Sequence, residues 1–271
     1  MSLSFFKTEG LGNDFVLLDR LDGGDDDLPE LARILCERRH GVGADGLLVV
    51  CASGQADARM RIFNADGTEA QMCGNGIRCA GLYLNSIGYG DRLRIETLAG
   101  IKELTVNGNE VTVDMGPAIW SPERVPVVYP GDRMLEADVS IVCDMLKVSA
   151  VSMGNPHGVV FVDRLIRYPV RRYGRLLERH EMWPERANIE FVLVRDSHHL
   201  SMRAWERGVG ETAACGTGAC AAAAVAVATE RAEFPIDVRL PGGVLRIDCD
   251  DAEHLMMTGP ANICFTGNYI R

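Results

Sequence analysis

A chain of 271 residues that is 47% hydrophobic has room for two domains with real cores. Its formal net charge of -10, with no compensating basic stretch, argues against a nucleic-acid surface. Nine cysteines, an odd number without small-scaffold spacing, favour free thiols in a reducing cytoplasm. No signal peptide is visible before Phe5-Phe6-Lys7, and the Ala-rich run 221–228 is shorter than a membrane span.

In chain order, residues 3–6 and 15–18 are predicted strands around a turn at Gly10-Leu11-Gly12-Asn13-Asp14. Asp27, Pro29 and Glu30 mark a helix start, Leu31, Ile34 and Leu35 its apolar face, and Gly41 its stop. Gly41-Val42-Gly43-Ala44-Asp45-Gly46 has dinucleotide-turn spacing but follows a helix and precedes the strand 47–51. That is the reverse of the order a nucleotide site needs, so a plain glycine loop is expected. Strand 59–63 leads through the turn-rich Asn64-Ala65-Asp66-Gly67-Thr68 to Cys73 and a helix ending near Gly88. Strands 93–97, 101–106 and 110–115 follow, the last two joined by the hairpin signal Asn107-Gly108.

The Pro-rich stretch 121–131 reads as a connection, giving expected domains of 1–118 and 119–271. Strands 147–151 and 159–162 flank Gly154-Asn155-Pro156-His157. A helix over 171–181 and strands 189–194 and 200–204 lead to the loop 206–212, then Cys215. Strands 238–240, 244–249 and 255–258 close the half, and 263–265 is a candidate to cross back to the first sheet. Short, closely spaced strands around one helix per half predict an α+β fold with mostly antiparallel sheet.

The halves are copies. Met72-Cys73-Gly74-Asn75-Gly76 and Ala214-Cys215-Gly216-Thr217-Gly218 lie 142 residues apart. The same offset aligns Met60-Arg61 with Met202-Arg203, Glu69 with Glu211, and Gly12-Asn13 with Gly154-Asn155. It also aligns Leu98-Ala99-Gly100 with Leu240-Pro241-Gly242. With one insertion, Gly116-Pro117-Ala118 falls on Gly259-Pro260-Ala261. An ordered series of this kind means a duplicated domain.

Each copy sets a cysteine where a glycine turn becomes the N-terminus of a buried helix. Such a place binds carboxylates and is expected to lower a thiol's pKa. Copies related by a pseudo-twofold would bring the two thiols to opposite faces of one ligand, which suits a racemase or epimerase with no cofactor. Three other readings remain open. Cys73/Cys79 and Cys215/Cys220 as zinc ligands have spacings that split the pairs over different helix faces, and no Cys-x-x-Cys occurs. A Cys73–Cys215 redox pair leaves the paired glycines unexplained, and a pure interaction protein leaves the thiols unexplained. Cys36, Cys51, Cys143, Cys249 and Cys264 read as core fillers.

Asn64-Ala65-Asp66-Gly67, Met72-Cys73-Gly74-Asn75-Gly76, Gly154-Asn155-Pro156-His157, Glu206-Arg207-Gly208 and Ala214-Cys215-Gly216-Thr217-Gly218 together resemble the diaminopimelate epimerases, over nearly the whole chain. The resemblance implies two similar domains, each a barrel-like sheet around a central helix. It further implies a cytoplasmic homodimer that interconverts LL- and meso-diaminopimelate without cofactor or metal. It makes Cys73 and Cys215 the catalytic acid/bases, supported by His157 and Glu206. Gly74, Asn75, Gly216 and Thr217 would take the carboxylate at the reacting centre. Asn13, Asn64, Asn155, Asn188, Glu206 and Arg207 would hold the rest of the substrate. Two departures stand out: some members carry Gln at the place of Gly46, and Cys or Ala at the place of Gly158. The related proline racemases carry His after the first Cys-Gly and Asp-Arg-Ser before the second Cys; Asn75 and Glu206-Arg207-Gly208 point away from them.

Overall fold

The computed structural model describes residues 2–24, 26–142 and 144–270; Cys143 lies outside the described residues. In chain order the first elements are β1 (Ser2–Gly10), β2 (Asn13–Arg20), α1 (Leu28–Cys36), β3 (Gly46–Cys51), β4 (Ala58–Asn64), β5 (Glu69–Ala70), α2 (Gly74–Ser86), β6 (Arg92–Thr97), β7 (Gly100–Asn107) and β8 (Glu110–Pro117). Then come β9 (Ala137–Ile141), β10 (Asp144–Ser152), β11 (Pro156–Phe161), α3 (Val170–Glu178), β12 (Asn188–Asp196), β13 (His199–Glu206), β14 (Gly210–Thr212) and α4 (Gly216–Ala228). The chain closes with β15 (Ile236–Leu240), β16 (Gly243–Cys249), β17 (His254–Pro260) and β18 (Asn262–Ile270). Two compact units result: Met1–Asp114 with Thr258–Arg271, and Met115–Met257.

The first unit repeats its pairing scheme in the second. β1–β2 is antiparallel, β2–β3 parallel, β3–β4 antiparallel and β4–β6 parallel. The second unit runs β10–β11 antiparallel, β11–β12 parallel, β12–β13 antiparallel and β13–β15 parallel. The outer neighbour of the leading strand has a different origin in each. β10 pairs with the local strand β9, whereas β1 pairs with β18, from the far end of the chain, Ser2 opposite Ile270. So each unit is α+β, with a mostly antiparallel sheet wrapped about one helix.

That helix is α2 in one unit and α4 in the other, and both are buried on all sides along most of their length. A helix without an outward polar face has nowhere else to go. Small residues let the sheet close on it: a Cβ on Gly76 would stand 2.9 Å from Leu48 Cδ2, and one on Gly81 would stand 2.8 Å from Leu104 Cδ2. α4 reaches the same end with alanine.

Two expectations shift. α1 starts as expected, with the Asp27 side chain accepting the Glu30 N–H, but it ends at Cys36 rather than near Gly41. Gly41 instead lets the chain double back on the helix end, since a Cβ there would lie 2.2 Å from Ile34 O. The helix α3 likewise stops at Glu178, short of 181. The Pro-rich stretch 121–131 belongs wholly to the second unit, where Val125 and Val127 join its core. No helix among the described residues is long and apolar enough to cross a membrane.

Candidate active site

In the first unit, Cys73 is the N-cap of α2, with extended backbone (φ −140°, ψ 121°), and its Sγ accepts the Gly76 N–H at 3.4 Å. The thiol meets Asn13 Oδ1 at 3.8 Å, and Asn75 Nδ2 donates to that same oxygen at 3.2 Å. Gly74 and Asn75 open the helix, where backbone N–H groups lack intrahelical acceptors. Asn13 is itself held, its amide donating to Asp45 Oδ2 at 2.8 Å. Arg38 bridges Asp45 and Asp14 at 2.8 and 2.7 Å, and Lys7 pairs with Asp14. Burial pushes the Asp14 carboxyl up, but Arg38 and Lys7 together pull it down further, to about 2. The glycine loop 41–46 thus contributes Asp45 to the setting of Asn13. Gly46 has no room for a longer residue as the backbone stands, a Cβ there lying 2.8 Å from Phe63 O.

Beneath Cys73 lies Arg78, wholly buried, donating to Gly74 O, Asn75 Oδ1 and Pro260 O at 3.0, 3.1 and 3.2 Å. Asn64 ends β4 in an exposed turn, where its amide donates to Thr68 Oγ1 at 2.9 Å.

In the second unit, Cys215 is the N-cap of α4 in nearly the same conformation (φ −125°, ψ 106°), followed by Gly216 and Thr217. Its Sγ lies 3.7 Å from Thr217 Oγ1. The expected lowering of a helix-start thiol is reversed here. Burial pushes Cys215 well above the usual thiol range, and the neighbouring carboxylates of Glu206 and Glu190 push it further. Gly218 and Thr217 only partly oppose them. Glu206 is also raised, first by burial; Thr212 donates to it and Cys215 hydrogen-bonds it.

His157, on β11, is fully buried between Glu190 Oε1 at 2.9 Å from Nδ1 and Asn155 Oδ1 at 3.0 Å from Nε2. Asn188 donates to Pro156 O at 3.4 Å and accepts the Arg207 N–H at 2.8 Å. The Arg207 side chain is exposed and donates to Glu185 O at 3.0 Å. The structure therefore groups Cys73 with Asn13 and Asn75, and Cys215 with Thr217 and Glu206. Among the described residues no three His, Cys, Asp or Glu side chains are placed to hold a metal ion.

Three residues of these clusters escape the sequence reading: Arg78, Asp45 and Glu190. For Glu190 a signal exists, because it is the lone acid in the run Ile189–Val194. Arg78 looks like any helix charge until the helix proves buried all round.

Solved structures share this architecture. A phenazine biosynthesis protein of the PhzF family from Bacillus anthracis aligns over 100% of both chains with a TM-score of 0.71 at 20% identity. A probable proline racemase from Agrobacterium radiobacter covers 98% of this chain and 92% of its own, with a TM-score of 0.71 at 15% identity. The fold is thus that of a class that includes racemases and epimerases. Sequence narrows it: the diaminopimelate epimerase family matches residues 5–121 and 149–264. Diaminopimelate epimerases of Synechococcus elongatus and Desulfitobacterium hafniense are 48% and 46% identical. They align over 99% and 98% of this chain and 98% and 97% of their own. The chain belongs to the diaminopimelate epimerase family.

Proposed function

We propose that this protein is an isomerase that interconverts LL- and meso-diaminopimelate, as a step toward lysine and peptidoglycan precursors, by a two-base mechanism without a cofactor. The observation that carries the reading is the repeated placement of one cysteine at the N-cap of each central helix, in the same extended conformation. Kinship to enzymes of that name at 46–48% identity supports the substrate.

In this mechanism one sulfur, as thiolate, takes the α-proton, and the other, as thiol, gives a proton to the opposite face. The carbanion's charge spreads onto the substrate carboxylate. The helix starts at Gly74-Asn75 and Gly216-Thr217 offer backbone N–H groups and the positive dipole end to that carboxylate. Glu206, its own carboxyl raised, stands as proton partner to Cys215. His157 supports that end, and Asn13 sets the Cys73 end. Asn64, Asn155, Asn188, Glu206 and Arg207 hold the distal amino-acid group. A planar guanidinium and amides suit a carboxylate and an ammonium. We further propose a cytoplasmic homodimer; nine cysteines, an odd number without small-scaffold spacing, support a reducing compartment. Light scattering on purified protein tests the dimer.

The decisive test is incubation with LL-diaminopimelate in deuterium oxide, following loss of the α-proton signal. Wild type exchanges and forms the meso isomer. Cys73→Ala and Cys215→Ala each lose about 100-fold or more, the scale of a removed general acid or base. Near wild-type turnover by either variant rules out the two-base assignment.

A further inference from the structure

The internal duplication supplies a control for the buried pair His157–Glu190. In the second unit the parallel strands β11 and β12 set His157 beside Asn188 and Val159 beside Glu190. In the first, β2 and β3 set Phe15 beside Gly46 and Leu17 beside Leu48. The 142-residue offset superposes the two registers, so Phe15 holds the place of His157 and Leu48 that of Glu190. The helix glycines agree: a Cβ on Gly76 would meet Leu48 first, while one on Gly218 would meet Glu190 Oε1 at 2.6 Å and Cys215 Sγ at 3.1 Å. All four side chains are buried, His157 and Glu190 completely. One fold therefore builds the same spot twice, once from two apolar residues and once from a hydrogen-bonded histidine and glutamate.

Burying polar side chains is costly, and an apolar pair of similar size is often no less stable. The first unit demonstrates that the fold accepts the apolar solution. Both ring nitrogens of His157 are engaged, Nδ1 by Glu190 Oε1 and Nε2 by Asn155 Oδ1. Glu190 Oε2 has no hydrogen-bond partner among the described residues, so stability alone does not account for the pair. The other titratable groups here are Glu206 from β13 and Cys215 at the start of α4.

We propose that Glu190 is a positioning residue: its contact with Nδ1 fixes the His157 ring and aims Nε2 at Asn155. This rests on the epimerase reading of Cys215. Glu190 also stands against Cys215, since a Cβ on Gly218 would meet both Glu190 Oε1 and Cys215 Sγ. The Nε2 contact with Oδ1 turns the Asn155 NH₂ away from the ring.

The test is the kinetics of two variants, Glu190→Leu, which loses the contact with Nδ1, and Glu190→Gln, whose amide oxygen can still make it. In Glu190→Leu kcat should fall at least about tenfold with KM changed less than about threefold, and Glu190→Gln should recover most of the loss. The double variant His157→Phe with Glu190→Leu, copying the first unit, should fold with a melting temperature no lower than wild type and be inactive. Wild-type kcat in Glu190→Leu, or an equal loss in Glu190→Gln, overturns the proposal. If wild type fails to exchange LL-diaminopimelate, the epimerase reading falls instead, while crystal structures of the two variants still decide whether Glu190 holds the ring.

Discussion

The two helix starts share a backbone and differ in charge. Around Cys73 stand neutral amides, Asn13 and Asn75, with the Arg78 guanidinium beneath. Around Cys215 stand two carboxylates, Glu206 and Glu190. The offset makes the divergence explicit: Asn64 corresponds to Glu206, Leu48 to Glu190, and Arg78 to Cys220. Duplication kept the geometry that aims a sulfur off a helix end. It did not keep the electrostatics.

The comparison breaks most readily on thiol chemistry. Cys73 is half-buried, while Cys215 is buried and its ionisation opposed by burial and two carboxylates. At about pH 8, iodoacetamide should modify Cys73 roughly 100-fold faster than Cys215, since the thiolate is the reacting form. Peptide mapping over time reads this directly. Equal rates would mean that the electrostatic difference does not reach the sulfurs.

Arg78 offers the next largest effect. Arg78→Met would leave Gly74 O, Asn75 Oδ1 and Pro260 O without their guanidinium donor. A loss of about 2–4 kcal/mol is expected on denaturant unfolding, the scale of several buried acceptors left unsatisfied. At the corresponding Cys220, Cys220→Ala should cost only about 1 kcal/mol, as a small buried side chain is trimmed. Similar costs at both positions would erase the contrast.

Glu206→Gln should ease ionisation of Cys215, raising its alkylation rate by about tenfold at fixed pH while Cys73 is unchanged. No change at Cys215 would remove Glu206 from its surroundings. The smallest effect is shared stability. Burial pushes the thiols of Cys36 and Cys79 up to about 12 from 9.0, each opposed by a nearby cation. Their folded-state pKa values are raised, so their contribution is full below pH 9.0 and is lost as pH rises toward 12. Asp14, lowered to about 2 from 3.8, works the other way: its contribution is present above 3.8 and lost as pH falls toward 2. Melting temperatures across pH should decline at both ends, and less steeply at the acid end in Asp14→Asn.

Much of this was legible in the sequence for physical reasons. The glycines after Cys73 and Cys215 and the all-apolar run behind Cys215 could only be helix starts leading inward. The offset between copies carried the architecture, because periodic burial repeats with the chain. What stayed hidden depends on which partner a charge meets. Glu190, Arg78 and Asp45 are ordinary acids and bases until the sheet closes around them. The short strands β5, β9 and β14 were missed because two to five residues hold too little pattern. At Cys215 the helix start predicts a lowered thiol pKa, whereas burial and two carboxylates raise it. The helix dipole was visible in the sequence, and the carboxylates that outweigh it were not.

The pairing of β18 with β1 sets an order of assembly. On the ribosome the second unit, 115–257, is contiguous and complete before its neighbour. The first unit emerges earlier but must wait, with the flank of β1 unpaired, until Thr258–Arg271 has cleared the exit tunnel. An open strand flank is a site for wrong partners, so nascent chains stalled before residue 258 should be the form most in need of a chaperone. The same pairing sets Ser2 opposite Ile270. A short linker joining them, with new termini cut between the units, would turn the late-closing domain into one made from a single uninterrupted stretch.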